Sequence, residues 1–197
     1  MTVSPLPEPA WLTDAIEQFY LHGLVVIHNA LPADLCQQLC QEAQQAPLKP
    51  AGIGRGQDLQ LDPDIRRDQT LWLDGSSDAQ QQYLALMSHI QQAANRRCFL
   101  GLTHHEAHFA RYQRGDFYQK HLDAFTGRSS RVLTTVCYLN NVASGGALQI
   151  YDEHDTPLLQ VQPQASTLVL FESARFPHEV LPANSTRFSI AGWFRID

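Results

Sequence analysis

Apolar side chains recur at helical spacing in three segments of the first half of the chain. In the first segment they share one face before Gly23, at Trp11, Leu12, Ala15, Ile16 and Phe19. A second helix is predicted over residues 32–45, with Pro32 in its first turn. The third has the clearest pattern, with an apolar face formed by Tyr83, Leu86, Met87, Ile90, Ala93, Ala94 and Cys98.

Beyond Gly101 the pattern changes from a helical period to short runs rich in β-branched and aromatic residues. Six strands are predicted, over residues 107–112, 131–140, 147–151, 158–161, 167–171 and 186–196. Helices followed by short strands within one domain length indicate an α+β fold. Its core is an antiparallel β-sandwich or jelly roll that helices buttress.

The segment between the second and third helices has a different composition. Residues 47–64 are rich in proline, glycine and polar side chains, and Gly52, Gly54 and Gly56 are spaced by two. A long loop is predicted here, and long loops in compact domains are often functional. No repeat or linker forces a boundary, so we expect one domain over residues 1–197. Residues 1–100 then provide helical support and a substrate loop, and residues 101–197 the catalytic β core.

The charge balance argues against polyanionic partners. The chain has 14 Lys and Arg against 20 Asp and Glu, a formal net charge of −6. The basic residues are few and scattered, so nucleic acid is not an expected partner. Hydrophobic residues make up 44% of the chain and charged residues 17%, which allows a sizeable core and argues against disorder.

Membrane and secretory signals are missing from the sequence. No apolar run approaches the roughly 18 residues that span a bilayer, and the N-terminus has no signal-peptide pattern. The cysteines form no Cys-x-x-Cys pair, which favours reduced thiols, at Cys36, Cys40, Cys98 and Cys137. We therefore expect a soluble, cytoplasmic protein.

Several familiar catalytic patterns are also missing. The glycines of residues 52–56 run into Gln57-Asp58-Leu59-Gln60 and open no helix, so they form no dinucleotide fingerprint. Neither a Gly-x-Ser-x-Gly elbow nor a phosphate-binding Gly-Lys-Ser/Thr sequence occurs. Nucleotide-binding and serine-hydrolase chemistry therefore have no support in the sequence.

The chain contains nine histidines, more than its size usually carries. His121 and Asp123 are two residues apart, so in an extended segment they point to the same side. A non-haem iron site needs two imidazoles and one carboxylate on one face, and His178, between two predicted strands, can supply the second imidazole. The alternative is a chance pair in a solvated turn. His104 and Glu106 have the same spacing and compete with the first pair.

The final predicted strand contains an arginine that alternation places on a distinct face. Arg187, Ser189, Ala191 and Trp193 share one face, opposite the apolar Phe188, Ile190 and Phe194. A buried guanidinium needs an anion, and its planar fork suits a carboxylate. Alternation likewise puts Thr134 and Tyr138 on one face of an earlier strand. One prediction is thus that Arg187 and Tyr138 form a pocket for one end of a dicarboxylate. The alternative is that Arg187 is a surface arginine at the end of a strand.

Taken together, these segments resemble the 2-oxoglutarate- and Fe(II)-dependent oxygenases. The similarity is to the prolyl 4-hydroxylase group, which includes the hypoxia-sensing prolyl hydroxylases and bacterial relatives that act on elongation factor Tu. The matching stretches are Tyr112 to Asp123, Tyr138-Leu139-Asn140, Gly145-Gly146-x-Leu148, Phe176 to Trp193, and, upstream, Ile65-Arg66-x-Asp68 with Trp72-Leu73. They span most of the chain from about Gly52 onwards, and their combination is specific.

The resemblance assigns roles to residues and implies a double-stranded β-helix (jelly-roll) core. His121, Asp123 and His178 would bind iron. Arg187 would hold the distal carboxylate of 2-oxoglutarate, with Tyr138, Tyr112, Thr134 and Trp193 completing the cosubstrate pocket. The peptide substrate would be contacted by Arg66, Asp68, Trp72 and Arg131. Arg67 stands where these relatives carry a glycine, which puts the loop's mobility and substrate preference in question.

The activity that the resemblance implies is hydroxylation of a prolyl residue at C4 in a protein substrate such as elongation factor Tu. Fe(II), 2-oxoglutarate and O2 would be required, with ascorbate as a reductant, and succinate and CO2 would be released. We expect a monomer. Two alternatives stay open: a hydroxylase of a free amino acid or another small molecule, and a non-catalytic β-sandwich binding module.

Overall fold

The computed structural model describes residues 7–52, 60–124 and 130–197. The three predicted helices are confirmed as α1 (Leu12–His22), α2 (Ala33–Gln45) and α3 (Asp78–Cys98). Gly23 ends α1 at a φ of 72°, where its N–H donates to the Phe19 carbonyl. Ser77 begins α3, because its hydroxyl accepts from the Gln80 N–H at 3.1 Å. None of the described helices is both long and apolar enough to cross a membrane.

Eleven strands are present in the described part of the chain, against six predicted. They are β1 (Leu24–Ile27), β2 (Lys49–Pro50), β3 (Gln69–Trp72), β4 (His104–Tyr112), β5 (Tyr118–His121), β6 (Arg131–Tyr138), β7 (Leu148–Tyr151), β8 (Pro157–Val161), β9 (Leu168–Glu172), β10 (His178–Val180) and β11 (Arg187–Arg195). The predicted six correspond to β4, β6, β7, β8, β9 and β11. The others are four residues or shorter, and strands of that length leave little periodic signal, although β7, also of four residues, was predicted.

The strands form two antiparallel sheets. The larger sheet has the order β1-β9-β6-β11-β4-β3-β2, and the smaller has the order β5-β10-β7-β8. Several neighbours, such as β1 and β9, β4 and β11, and β5 and β10, come from distant parts of the sequence, as in a jelly roll. The predicted jelly-roll fold with helical support is confirmed.

The larger sheet separates two hydrophobic cores. Its outer face packs against the three helices, where Phe188, Ile190 and Phe194 of β11 join the larger core. Its inner face meets the smaller sheet, and Val136, Leu148 and Phe171 belong to this second core. The alternation predicted for β11 is therefore confirmed. The inner space between the two sheets is where the polar residues of the candidate site lie.

A β-bulge in β6 changes which side of the larger sheet its first residue faces. Phe194 of β11 pairs with Leu133, whereas Arg195 pairs with Arg131, so Val132 is an extra residue. Leu133 faces the helices. Without the bulge, strict alternation would send Arg131 to the same side. With it, Arg131 lies on the inner face.

Candidate functional site

Two short strands of the smaller sheet bring the predicted metal ligands together. β5 and β10 pair antiparallel, with His121 directly opposite His178. Asp123 follows β5 by two residues, in a bend. Its carboxylate oxygens lie 3.6 Å from Nε2 of His121 and 3.4 Å from Nε2 of His178. One donor atom from each residue lies within 4.8 Å of the others.

Backbone carbonyls orient both imidazoles. Nδ1 of His121 is 2.7 Å from the Gln119 carbonyl oxygen, and Nδ1 of His178 is 3.1 Å from that of Phe176. Because a carbonyl can only accept, each Nδ1 must carry the proton. Nε2 is therefore the ring nitrogen that faces Asp123 in each case, and it offers a lone pair to a metal ion once it carries no proton. Both rings have the tautomer that a metal ligand needs.

The carboxylate of the cluster is supported from β6. Thr134 donates its hydroxyl hydrogen to Asp123 at 2.7 Å, and the Ser173 hydroxyl lies 2.9 Å from the Thr134 oxygen. Burial opposes ionisation of Asp123, but His178 and His121 outweigh it and hold the pKa of that carboxyl well below its usual range. Burial and the neighbouring His178 lower the pKa of His121. Two imidazoles and an ionised carboxylate on one face fit Fe(II) in a facial triad.

Arg187 is a buried cation at the other side of the same cavity. The residue is 1% exposed, and within the described ranges its Nε and Nη1 have no hydrogen-bond partner. Its guanidinium carbon lies 4.7 Å from the ring centre of Tyr112 and 4.9 Å from that of Tyr138. Buried cations are normally paired with an anion. The unpaired fork therefore fits one carboxylate of 2-oxoglutarate.

Tyr138 and the glycine pair shape the space around Arg187. The Tyr138 hydroxyl donates to the Val161 carbonyl at 3.1 Å, so its proton is already engaged, and a bond to a cosubstrate needs rotation of that hydroxyl. Gly145 and Gly146 have φ values of 72° and 64°. A Cβ on Gly145 would lie 2.6 Å from the Pro182 carbonyl oxygen. The Gly145-Gly146 motif thus lets this segment pass close to the chain leading into β11.

One cavity of about 1140 Å³ connects these groups. Along β11, side chains at Arg187, Ser189, Ala191 and Trp193 line it in succession. A strand rises roughly 3.3 Å per residue, so Trp193 lies about 20 Å along the strand from Arg187. The resemblance implied a place for Trp193 in the cosubstrate pocket. Trp193 lies at the opposite end of this row from Arg187, directly across from Thr134 on β6, and its role in the cosubstrate pocket stays a prediction.

Several residues expected to contact substrate surround this second end. Arg66 forms an ion pair with the buried Asp68, at 2.5 and 2.9 Å, and lies over the Tyr118 ring at 4.6 Å. Trp72, which is 53% exposed, meets the ring of His108 edge-on at 5.1 Å. Tyr118 in turn stacks on His121 with ring centres 3.7 Å apart, so the entrance contacts a ligand of the metal site.

His108 is a residue of the cavity wall that none of the sequence motifs identified. It is 4% exposed, and its ring packs against Trp72 and Trp193 in the cavity wall. Burial, together with the nearby Arg66, lowers its pKa to about 4, so the imidazole is neutral at neutral pH. His108 and Tyr112 are four residues apart on β4, so alternation along the strand places both side chains on the face that lines the cavity.

The competing pair, His104 and Glu106, forms no metal site, and the predicted loop over residues 47–64 is described only in part. His104 lies 3.6 Å from Asp197 near the C-terminus, and Glu106 binds arginines, so the two form no metal cluster. Of the predicted loop, residues 53–59 fall outside the described part, which leaves Gly54 and Gly56 without a structural account. Gly52 lines the cavity beside Pro50 and Ala51. Arg67 packs on the Phe117 ring at 4.9 Å.

Comparisons with known proteins agree with this site. A family model described as "2OG-Fe(II) oxygenase superfamily" matches residues 107–195, which include the cluster and Arg187. A prolyl-4-hydroxylase of Pseudomonas putida is 37% identical, with a TM-score of 0.85 over 94% of this chain and 99% of that one.

Two further relatives come from animals. A prolyl hydroxylase of Trichoplax adhaerens, solved with a hypoxia inducible factor peptide, is 25% identical over 95% of this chain and 94% of its own, with a TM-score of 0.79. Egl nine homolog 1 of Mus musculus is 30% identical over 88% of this chain. The chain spans only 46% of the length of that mouse protein.

Proposed function

Because this chain belongs to the 2OG-Fe(II) oxygenase superfamily, we propose that it hydroxylates a prolyl residue at C4 in a protein substrate. One observation carries the proposal: a single cavity contains the His121, Asp123 and His178 cluster and the unpaired guanidinium of Arg187. The similarity to a bacterial prolyl-4-hydroxylase along nearly its whole length supports the prolyl substrate.

Each part of the cavity has a task in this proposal. His121, Asp123 and His178 would hold Fe(II), and Arg187 would bind the distal carboxylate of 2-oxoglutarate. With O2 also bound, Fe(II) and 2-oxoglutarate would supply the oxidising power for hydroxylation, and succinate and CO2 would be the other products. The buried apolar side chains of Leu148, Ile150 and Val180 exclude water from the space between the sheets.

The second end of the cavity suits a proline. A prolyl ring is saturated and apolar, and its nitrogen carries no hydrogen to satisfy. Trp72, His108 and Trp193 offer aromatic surfaces, and the neutral His108 adds no charge. Arg66 and Arg131 remain in our proposal as contacts to the peptide main chain, with Asp68 orienting Arg66. In this proposal we assign Trp193 to the substrate end of the cavity and not to the cosubstrate pocket.

Elongation factor Tu is the first substrate to test, because the sequence resembles bacterial enzymes that act on it. A hypoxia inducible factor peptide is the second, because the Trichoplax adhaerens relative was solved with one. Ascorbate, as the reductant that keeps iron ferrous, belongs to the same proposal. The monomeric state, the cytoplasmic location and the single domain stay predictions from the sequence.

The test is incubation of the protein with Fe(II), 2-oxoglutarate, ascorbate and each substrate, followed by mass spectrometry. We expect a gain of one oxygen on a single proline, with one succinate formed for each hydroxylation. Succinate formation that free amino acids stimulate, while peptides do not, would instead establish the small-molecule alternative. His121→Ala should abolish turnover and weaken Mn(II) binding. Unchanged metal affinity in that variant would favour the non-catalytic module.

A further inference from the structure

Glu106 of β4 joins the cavity wall to the end of β11. One of its carboxylate oxygens lies 2.9 and 2.8 Å from Nε and Nη2 of Arg131. The other is 3.0 Å from Nη1 of Arg195. The side chain of Glu106 is 23% exposed and that of Arg131 is 17% exposed, so solvent screens this pair only partly. Although burial opposes its ionisation, the two arginines lower the pKa of Glu106.

The guanidinium that Glu106 holds lies over the ring of Trp193 in the wall of the cavity. The carbon at the centre of the Arg131 guanidinium is 3.6 Å from the ring centre of Trp193. The bulge in β6 brings Arg131 to this side of the sheet. Trp193 is 7% exposed, and in the part of the chain described here its Nε1–H has no hydrogen-bond acceptor. The stacked pair therefore belongs to the end of the cavity that we assign to substrate.

Apart from Arg187, the other cations that line the cavity are also compensated by carboxylates. In the described ranges, three cations other than Arg187 line the cavity, and each is paired with a carboxylate: Arg66 with Asp68, Lys120 with Asp155 at 2.6 Å, and Arg131 with Glu106. Paired cations still donate hydrogen bonds to carbonyl oxygens, but they offer little net attraction to an acidic side chain. The entrance is thus built to accept main-chain carbonyls and an apolar ring.

We propose that Glu106 is a positioning and specificity residue: it holds Arg131 over the Trp193 ring and cancels its charge, which selects prolyl peptides without acidic flanking residues. This inference rests on the proposed function. An unanchored arginine has several accessible rotamers, and it would swing away from the indole toward any acidic group on the peptide. Glu106 removes that freedom without touching the substrate itself.

The chain contains a matched control for this arrangement on its helical side. Glu17 lies 2.7 Å from Nε of Arg97, and the Arg97 guanidinium lies 3.5 Å from the ring centre of Tyr20. The same three groups therefore form a carboxylate, guanidinium and aromatic stack that does not line the cavity. Glu17→Gln should change neither substrate preference nor the environment of Trp193.

The experiment compares two prolyl peptides that differ only in an Asp or Asn next to the target proline. For the wild type we expect kcat/KM to be at least tenfold higher for the Asn peptide. Glu106→Gln should reduce this ratio about tenfold, mainly through the KM of each peptide, while the KM for the cosubstrate stays unchanged. Glu106→Gln combined with Arg131→Ala should behave like Arg131→Ala alone, because Glu106 acts through Arg131.

A second readout does not depend on turnover. The ¹H–¹⁵N spectrum contains one indole resonance for each of the three tryptophans, and Trp193→Phe identifies that of Trp193. Glu106→Gln and Arg131→Ala should shift this resonance in the same direction, and the Asn peptide should shift it more than the Asp peptide does.

The possible failures can be told apart. If the wild type hydroxylates no peptide, the proposed function fails, while the indole resonance still shows whether Glu106 places Arg131 and which peptide binds. An unchanged peptide ratio in Glu106→Gln, or an unmoved indole resonance, overturns the inference itself. If Arg195→Met reduced the peptide ratio as much as Glu106→Gln does, Glu106 would act through Arg195, and the inference would be overturned as well.

Discussion

Replacing Arg187 by methionine should stabilise the ligand-free protein. A buried charge without a counter-ion costs several kcal/mol, and the guanidinium has neither a carboxylate nor a partner for Nε and Nη1 in the described chain. The faces of Tyr112 and Tyr138 offset part of this cost, by about 1–2 kcal/mol each. Methionine keeps much of the apolar stem. We therefore expect a net gain of about 1–3 kcal/mol, or a rise in Tm of several degrees.

The same substitution should weaken 2-oxoglutarate binding by orders of magnitude. In the variant, the distal carboxylate would be buried among Tyr112, Tyr138 and methionine with no cation to pair with. Leaving one member of a buried ion pair alone costs about 3–5 kcal/mol. At about 1.4 kcal/mol for each factor of ten, the dissociation constant for the cosubstrate should rise by a factor of roughly 10² to 4 × 10³.

Thermal unfolding with and without Mn(II) and 2-oxoglutarate measures both effects. Arg195→Met is the matched control, because Arg195 lies on the same strand and the same face but is paired with Glu106 and Asp197. It should lower Tm and retain the shift that 2-oxoglutarate induces. A lower Tm for Arg187→Met, together with a ligand-induced shift equal to that of the wild type, would refute the assignment of Arg187.

Two further predictions test the support of the metal site and a buried imidazole. Thr134→Val removes the hydrogen bond to Asp123 and should weaken Mn(II) binding by about tenfold, measured by titration, whereas Thr134→Ser should bind normally. Equal affinities in all three proteins would contradict this role. His108 has a folded-state pKa of about 4, below its unfolded value of about 6.5. Below pH 6.5 the unfolded chain therefore binds a proton that the folded protein does not, so His108 destabilises the fold increasingly as the pH falls toward 4. His108→Gln should therefore lose roughly 3 kcal/mol less than the wild type between pH 7 and pH 4 in urea unfolding, and parallel pH profiles would contradict it.

The helices and the longer strands could be predicted from sequence because their pattern is local. The apolar face of α3 repeats over five turns or so, and the alternation along β11 separates Arg187 from Phe188 without reference to any other strand. The His-x-Asp spacing has the same property, since two residues on one extended segment face one side wherever that segment lies.

Other features depend on pairings between distant segments. β5 and β10 are four and three residues long, and only their antiparallel contact brings His178 opposite His121. Strands this short gain their stability from neighbours and leave little periodic signal in the sequence. The sequence thus supplied the candidate ligands, and the sheet determined their geometry.

The sequence alone determined the fold class, the two faces of β11 and the residue types for an iron and carboxylate site. The family resemblance assigned Arg131 to the substrate, but only the tertiary structure shows how its side chain reaches the cavity, because a single extra residue in β6 reverses alternation. It also placed His108 in the wall and Trp193 at the end of the cavity away from Arg187. The physical reason is that register and bulges arise from pairing between strands, and one residue of shift moves a side chain to the other face of the sheet.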